Sequence, residues 1–295
     1  MVLQGVFSAV ATPFRAEDNS VDERALRLLV ERTLDGKVHG LVPCHSTGEF
    51  AQLSSAERRK VVEIVIDQTC GRVPVVPHTG AMTKKETIEL SRHAERAGAS
   101  AVMAVPPYQQ SLEPDEVKPA FRALADAISI PVVVCNAPTA AGVLLGPQEI
   151  ADLAAKSPNI RYVEETSGDF SQAAALIHHY SDVISTFVGR DTLLLTAFLE
   201  GAAGSITGSS NFLAPQLVSV YESVRRGDLR SAEREWGAVL PVLRFLTSGS
   251  YAAGVKDAMK VLGIPAGSTR EPTAVLDEER KAALESILHE LDVEL

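Results

Sequence analysis

Short apolar runs recur along the chain, separated by longer amphipathic stretches. The runs fall at residues 5–11, 40–43, 73–77, 101–105, 130–135, 160–164, 184–188 and 204–207. Within each run apolar residues follow one another instead of alternating with polar ones, the pattern of strands covered on both faces. The intervening stretches carry helical spacing. Leu26, Leu28, Leu29, Val30 and Leu34 supply the apolar side of a helix that Asp22 is placed to cap. Ser54 or Ser55 caps the next, through about Thr69. Thr83, with Glu86 three residues on, predicts a capping box for a helix ending near Gly98. Further helices are expected over 114–128, 147–156, 170–180, 192–200 and 215–226. Eight strand–helix units predict an α/β chain folded as a (β/α)8 TIM barrel over residues 1–226. A doubly wound open sheet is the alternative. Residues 227–295 contain no strand-like run and read as a C-terminal helical extension with helices at 229–246, 252–262 and 277–291.

Composition narrows the function classes. The chain has 295 residues and a formal net charge of −10, which argues against nonspecific nucleic-acid binding. No apolar run approaches the ~20 residues of a membrane span. The first residues have no basic segment followed by an apolar core, so no signal peptide is expected. The three cysteines, Cys44, Cys70 and Cys135, imply no disulfide framework, and a cytoplasmic protein is the simpler expectation.

Alternating β/α chains bind ligands where strands hand over to the following loops. Glu164 and Glu165 sit at such a point. Neighbouring strand residues point to opposite faces, so if Glu164 faces the barrel, Glu165 faces out or bonds the loop. Ser46-Thr47-Gly48-Glu49 offers amides and hydroxyls to a carboxylate or phosphate, or is a turn before a capped helix. Asn136-Ala137-Pro138 reads first as a loop breaker. Gly189-Arg190-Asp191 and the stretch Gly204-Ser205-Ile206-Thr207-Gly208 allow close approach of a ligand, or are tight turns. Neither a dinucleotide fingerprint, a P-loop nor a His-Glu-x-x-His motif is present.

Taken in order, AVATPF at 9–14, Ser46-Thr47-Gly48-Glu49, Thr79-Gly80, Pro107-Tyr108, Asn136-Ala137-Pro138, Ser167-Gly168-Asp169, Gly189-Arg190-Asp191 and VKDAMKVLG at 255–263 resemble the dihydrodipicolinate synthase / N-acetylneuraminate lyase family. The resemblance implies a barrel with C-terminal helices, assembled as a homotetramer (a dimer of dimers). It also implies a lysine at the end of strand six that forms a Schiff base with pyruvate or another 2-oxo acid. A tyrosine ending strand five would shuttle protons, the Thr-Gly-Glu loop would hold the carboxylate, and Tyr108 would reach the neighbouring subunit's site.

The chain departs from that pattern at its chemical centre. Where the family reads Gly-Ile-Lys-Glu-x-Ser-Gly-Asp, this sequence has Glu164 at the lysine position. Cys135 stands for the tyrosine and Ala140 for the synthases' arginine. A carboxylate cannot condense with a ketone to an imine. Lys37, Lys84, Lys85, Lys256 and Lys260 fall at the wrong end of the barrel or in helices, so Schiff-base chemistry is not expected. His45, His78, Cys135 and Glu164 are expected to project toward one mouth. Glu164 would act as base or acid at a carbon next to a carbonyl, with His45 or His78 as its counterpart. Cys135 and Tyr108 would complete the catalytic set. Ser46, Thr47, Gly48, Asn136, Gly189 and Ile206 would hold the small-molecule carboxylate. Two histidines, a glutamate and a cysteine suit zinc, but their spacing is not that of a helical metal site and the family needs no metal; no metal or cofactor is expected. The expected function is a lyase-like elimination, cyclisation, isomerisation or C–C cleavage of a small 2-oxo acid. The alternative is an inactive homologue that binds a small carboxylate as a sensor or assembly subunit. New proton carriers at His45 and His78 are less expected in such a protein.

Overall fold

The computed structural model describes residues 2–108 and 112–291. Seven parallel strands, β1 (Gly5–Ala9), β2 (Gly40–Val42), β3 (Val102–Ala104), β4 (Val132–Asn136), β5 (Ile160–Glu165), β6 (Ser185–Val188) and β7 (Gly204–Thr207), lie in the order β2-β1-β7-β6-β5-β4-β3. The run at 73–77, expected as a strand, joins the sheet only through the bridges Leu41↔Val75 and His78↔Met103. These contacts span the two outer strands, β2 and β3, and close the sheet into a barrel. Pro74 and Pro77 explain why this stave builds no continuous ladder, since neither has an N–H to donate. Its remaining bonds reach both neighbours: Val76 N and His78 N donate to the Leu41 and Pro43 carbonyls at 2.8 and 2.9 Å, and on the other side Ser100 N and Met103 N donate to the Val75 and Pro77 carbonyls, both at 2.9 Å.

Around the barrel run α1 (Glu23–Asp35), α2 (Ser55–Thr69), α3 (Lys84–Ala97), α4 (Pro114–Ala127), α5 (Pro138–Ala141), α6 (Pro147–Lys156), α7 (Phe170–His179), α8 (Leu194–Leu199) and α9 (Ser210–Arg225). Asp22 caps α1 by accepting from Ala25 N at 3.0 Å. The complete capping box is at Ser54–Glu57. At Thr83 only half of the predicted box forms: Thr83 accepts from Glu86 N at 3.2 Å, but the Glu86 carboxylate accepts from Ser55 Oγ and ties α3 to α2. Helix α9 starts at Ser210, ahead of the predicted Pro215, and bends at Leu213, whose φ of −113° and ψ of 21° are non-helical. Proline in a helix interior disrupts the turn before it, so the pattern was readable only beyond the kink. A short helical turn, α5, also occupies what read as plain loop after Asn136.

Inside the barrel, Phe7 and Phe187 meet edge to face with centroids 5.2 Å apart, and Tyr162 lies 6.1 Å from Phe187. Helices α10 (Leu229–Thr247), α11 (Tyr251–Val261) and α12 (Glu278–Glu290) follow. They are held to the barrel by a buried ion pair. Lys256 Nζ lies 2.5 Å from Glu49 Oε1, donates to the Ser268 carbonyl at 3.0 Å and sits 4.2 Å from the Phe14 ring centroid. Arg270 N donates to Glu49 Oε2 at 2.8 Å. Glu49 is therefore an anchor for the C-terminal helices. Among the described residues no helix is long and apolar enough to cross a membrane.

Candidate active site

Strand register decides which side chains meet. On β4 and β5, Cys135 pairs with Glu164 and Asn136 with Glu165. Alternation sends one pair to each face of the sheet. Cys135 and Glu164 face the barrel interior, where Cys135 Sγ donates to Glu164 Oε2 at 3.0 Å. Asn136 and Glu165 face the other way and close the loop behind. Asn136 Nδ2 donates to Glu165 Oε2 at 2.6 Å and to the Leu145 carbonyl at 3.0 Å, while its Oδ1 accepts from Leu145 N at 3.1 Å. Ser167 N donates to Glu165 Oε1 at 2.8 Å. With its amide committed to that loop, Asn136 does not reach the cavity as the sequence suggested.

His45 arrives from the loop after β2. Cys44, with φ of 59°, and Glu49, with φ of 55°, both adopt left-handed backbone there, a conformation non-glycine residues enter at a cost. That loop turns His45 toward β5, and its Nε2 lies 3.2 Å from Glu164 Oε2. Thr12 Oγ1 donates to the Gly48 carbonyl at 2.8 Å, and a Cβ on Gly48 would meet the Val10 carbonyl at 2.8 Å. Gly48 thus packs the loop against β1 and is not itself on the cavity wall. A cavity of about 220 Å³ opens at these strand ends. His45, Ser46, Thr47, Gly189 and Ile206 line it. Glu164 is 1% exposed. Its Oε1 makes no hydrogen bond among the described residues and would lie 2.6 Å from a Cβ on Gly189. Glycine at 189 is what leaves room for this carboxylate beside the cavity wall.

The charges follow from these neighbours. Burial disfavours the His45 imidazolium, but the adjacent Glu164 charge and hydrogen bond outweigh it and raise the His45 pKa. Burial, reinforced by Glu164, pushes the Cys135 thiol well above its ordinary value, so it stays a proton donor. His78 stands behind them, its ring edge to face with that of His45 at 5.8 Å between centroids, and does not line the cavity. It is buried, its Nε2 accepts from Val105 N at 3.2 Å, and its ring packs against Phe50 with centroids 4.4 Å apart. Burial and then the charges of Arg58 and His45 drive its pKa well down, which keeps it neutral. Arg58 fixes the backbone beneath by donating to the His78 and Gly80 carbonyls at 2.8 and 3.0 Å. Tyr108 packs edge-on against Phe50 at 5.8 Å and is not part of this cavity wall.

The ligating atoms of His45, Cys135 and Glu164 all lie within 4.8 Å of one another, close enough to share one divalent ion with an open fourth position. Glu164 Oε2 already accepts from both neighbours, so the set is satisfied as it stands.

Several wall residues carried no clear sequence signal. Tyr251, at the start of α11, reaches over the end of β7. Its hydroxyl accepts from Gly208 N and Ser209 N at 3.0 and 3.1 Å and donates to Asp191 Oδ2 at 2.7 Å. Asp191 also accepts from Ser209 Oγ. Thr139, Ala140, Thr166 and Arg190 complete the opposite side. Only the Gly-Arg-Asp run, a glycine-rich strand end, and Ala140, where the resemblance implies an arginine, pointed toward any of them.

Comparison with known proteins agrees with this architecture. The chain matches the Dihydrodipicolinate synthetase family over residues 2–291. It is 36% identical to a 4-hydroxy-tetrahydrodipicolinate synthase of Methanothrix thermoacetophila, over 97% of this chain and 96% of that protein. A protein of the same name from Methanopyrus kandleri is 33% identical, over 98% and 96% of the two chains. A prophage protein of the dihydrodipicolinic acid synthase family from E. coli K12, solved in complex with pyruvate, superposes with a TM-score of 0.94 at 29% identity, covering 99% of each chain. With the matched region running from the first strand through the last helix, the chain belongs to the dihydrodipicolinate synthetase family.

Proposed function

We propose that this protein is a lyase-type enzyme that acts on a small 2-oxo acid by acid–base chemistry, without a lysine imine. The observation that carries the reading is the cluster at Glu164: His45 Nε2 at 3.2 Å and Cys135 Sγ at 3.0 Å from one carboxylate oxygen, beside the cavity. Glu164 occupies the position where the family resemblance implies the Schiff-base lysine. In this reading the hydroxyls and amides of Ser46 and Thr47 hold the substrate carboxylate. Glu164 takes the proton from the carbon next to the carbonyl through its free Oε1. His45, kept protonated by Glu164, donates to the carbonyl oxygen, so an enol forms and neither charge is left unbalanced. Expulsion of a β-substituent or return of the proton at another position completes the reaction. The chain is further assigned to a cytoplasmic homotetramer, with Tyr108 at a subunit contact.

Pyruvate in heavy water provides a test that needs no knowledge of the natural substrate. The wild-type protein should accelerate exchange of the methyl protons for deuterium, followed by proton NMR. Glu164→Gln should still bind pyruvate but lose about a hundredfold or more of that rate, the usual contribution of a general base. Borohydride added with pyruvate should leave no stable mass gain. A covalent adduct, or exchange unchanged in the variant, would remove Glu164 from this role. Absence of exchange in the wild type would favour the inactive carboxylate binder instead.

A further inference from the structure

The cavity has two chemically distinct sides. On one, Ser46 and Thr47 present neutral donors beside His45. On the other stands Arg190, between β6 and the turn Asp191–Leu193. Arg190 is the one permanent cation on the cavity wall among the described residues. Its guanidinium is exposed and has no hydrogen bond and no ion pair among them; what sets it apart from the other unpaired surface arginines is its place on the cavity wall. The adjacent carboxylate in the chain is no partner, because Asp191 spends both oxygens on Ser209 and Tyr251. Arg190 instead leans across the turn after β5: a Cβ on Gly168 would lie 4.0 Å from its Nε. Between the two sides Ala137, Ala140, Gly189 and Gly249 contribute only small groups to the wall. An unpaired guanidinium facing such a space has its planar fork of donors free for an oxyanion.

We propose that Arg190 recognises a second anionic group, distal to the carboxylate held at Ser46 and Thr47, so that the substrate of this site is a dianionic 2-oxo acid. The proposal rests on the 2-oxo acid reading of the site. It adds that the chain extends from the carbonyl toward β6 and ends in a carboxylate or a phosphoryl-type group. A monoanionic acid of the same length would leave the guanidinium without its partner and gain less on binding.

The test compares 2-oxoglutarate, phosphonopyruvate and 2-oxopentanoate by calorimetry on the intact protein. 2-Oxoglutarate and 2-oxopentanoate are alike in length but differ in the terminal charge, and phosphonopyruvate separates a phosphoryl-type reader from a carboxylate reader. At least one dianion should bind about tenfold or more tighter than 2-oxopentanoate, the scale of one charge-assisted pair. Arg190→Met should abolish that preference while leaving 2-oxopentanoate binding unchanged. Arg190→Lys should restore part of it, because the charge returns without the fork. Equal affinity for charged and uncharged tails in the wild type overturns the proposal, as does a dianion preference that survives Arg190→Met. If no 2-oxo acid binds at all, the functional reading fails and this inference with it. An Arg190-dependent preference in a protein that never catalyses exchange would retain the inference and discard only the chemistry.

Discussion

Glu164 biases the titration of His45, and that influence has a measurable direction. Two influences act on His45: burial, which lowers its pKa, and Glu164, which raises it further than burial lowers it. In Glu164→Gln only burial is left, so the imidazole should titrate below the ordinary histidine range instead of above it, as read from ring-proton shifts. A His45 titration unmoved by the substitution would mean that the pair is not coupled. The sign for stability follows. A histidine whose folded pKa is raised contributes stability that is fully present below its unfolded value and is lost as pH rises through the folded value. The wild type should therefore lose that increment on the alkaline side of the ordinary histidine range, and Glu164→Gln should not.

Between elements, the Glu49–Lys256 pair joins the loop after β2 to α11. Burial lowers the Lys256 pKa, and Glu49 works against it, so neither charge is comfortable there without the other. Removing one charge should cost about 3–5 kcal/mol, whereas removing both together should cost much less than the sum. Chemical denaturation of Lys256→Met, Glu49→Gln and the double variant checks this; additive losses would show that the two do not act as a pair. This contact also explains what was hidden in the sequence. Ser46-Thr47-Gly48-Glu49 and VKDAMK were each visible as motifs, but nothing in one-dimensional order says that Glu49 spends its charge on Lys256 instead of on a ligand. The strand runs were legible because burial on both faces leaves an uninterrupted apolar record. Cys135 and Glu164 were legible as strand-end residues, and their meeting follows from register. His78 sits at an equivalent strand end yet turns into the packing around Phe50, a choice made by tertiary neighbours that local pattern does not encode. Tyr251 lies far along the chain from the strand end it clamps, and its role is invisible until the barrel closes.

For the whole molecule, the barrel is closed at one place by a stave whose ladder Pro74 and Pro77 interrupt, since neither has an N–H to donate. The β1–β7 ladder is continuous, while residues 73–78 pair with their neighbours through isolated bridges. Local opening should start there. Amide hydrogen exchange at Val76 and His78 is expected to be at least about tenfold less protected than on β1 and β7, a difference of roughly 1.4 kcal/mol. Equal protection would show that the seam opens only with the rest of the barrel. The Tyr251 hydroxyl has a different consequence at this scale. It is donor and acceptor at once to the ends of β6 and β7, so the C-terminal helices furnish part of the cavity wall. The region after residue 226 is thus not a detachable appendix for engineering. A chimera that exchanges barrel loops between relatives should carry the Tyr251 helix along with them, because a new loop at Gly208 would otherwise meet a wall shaped for the old one.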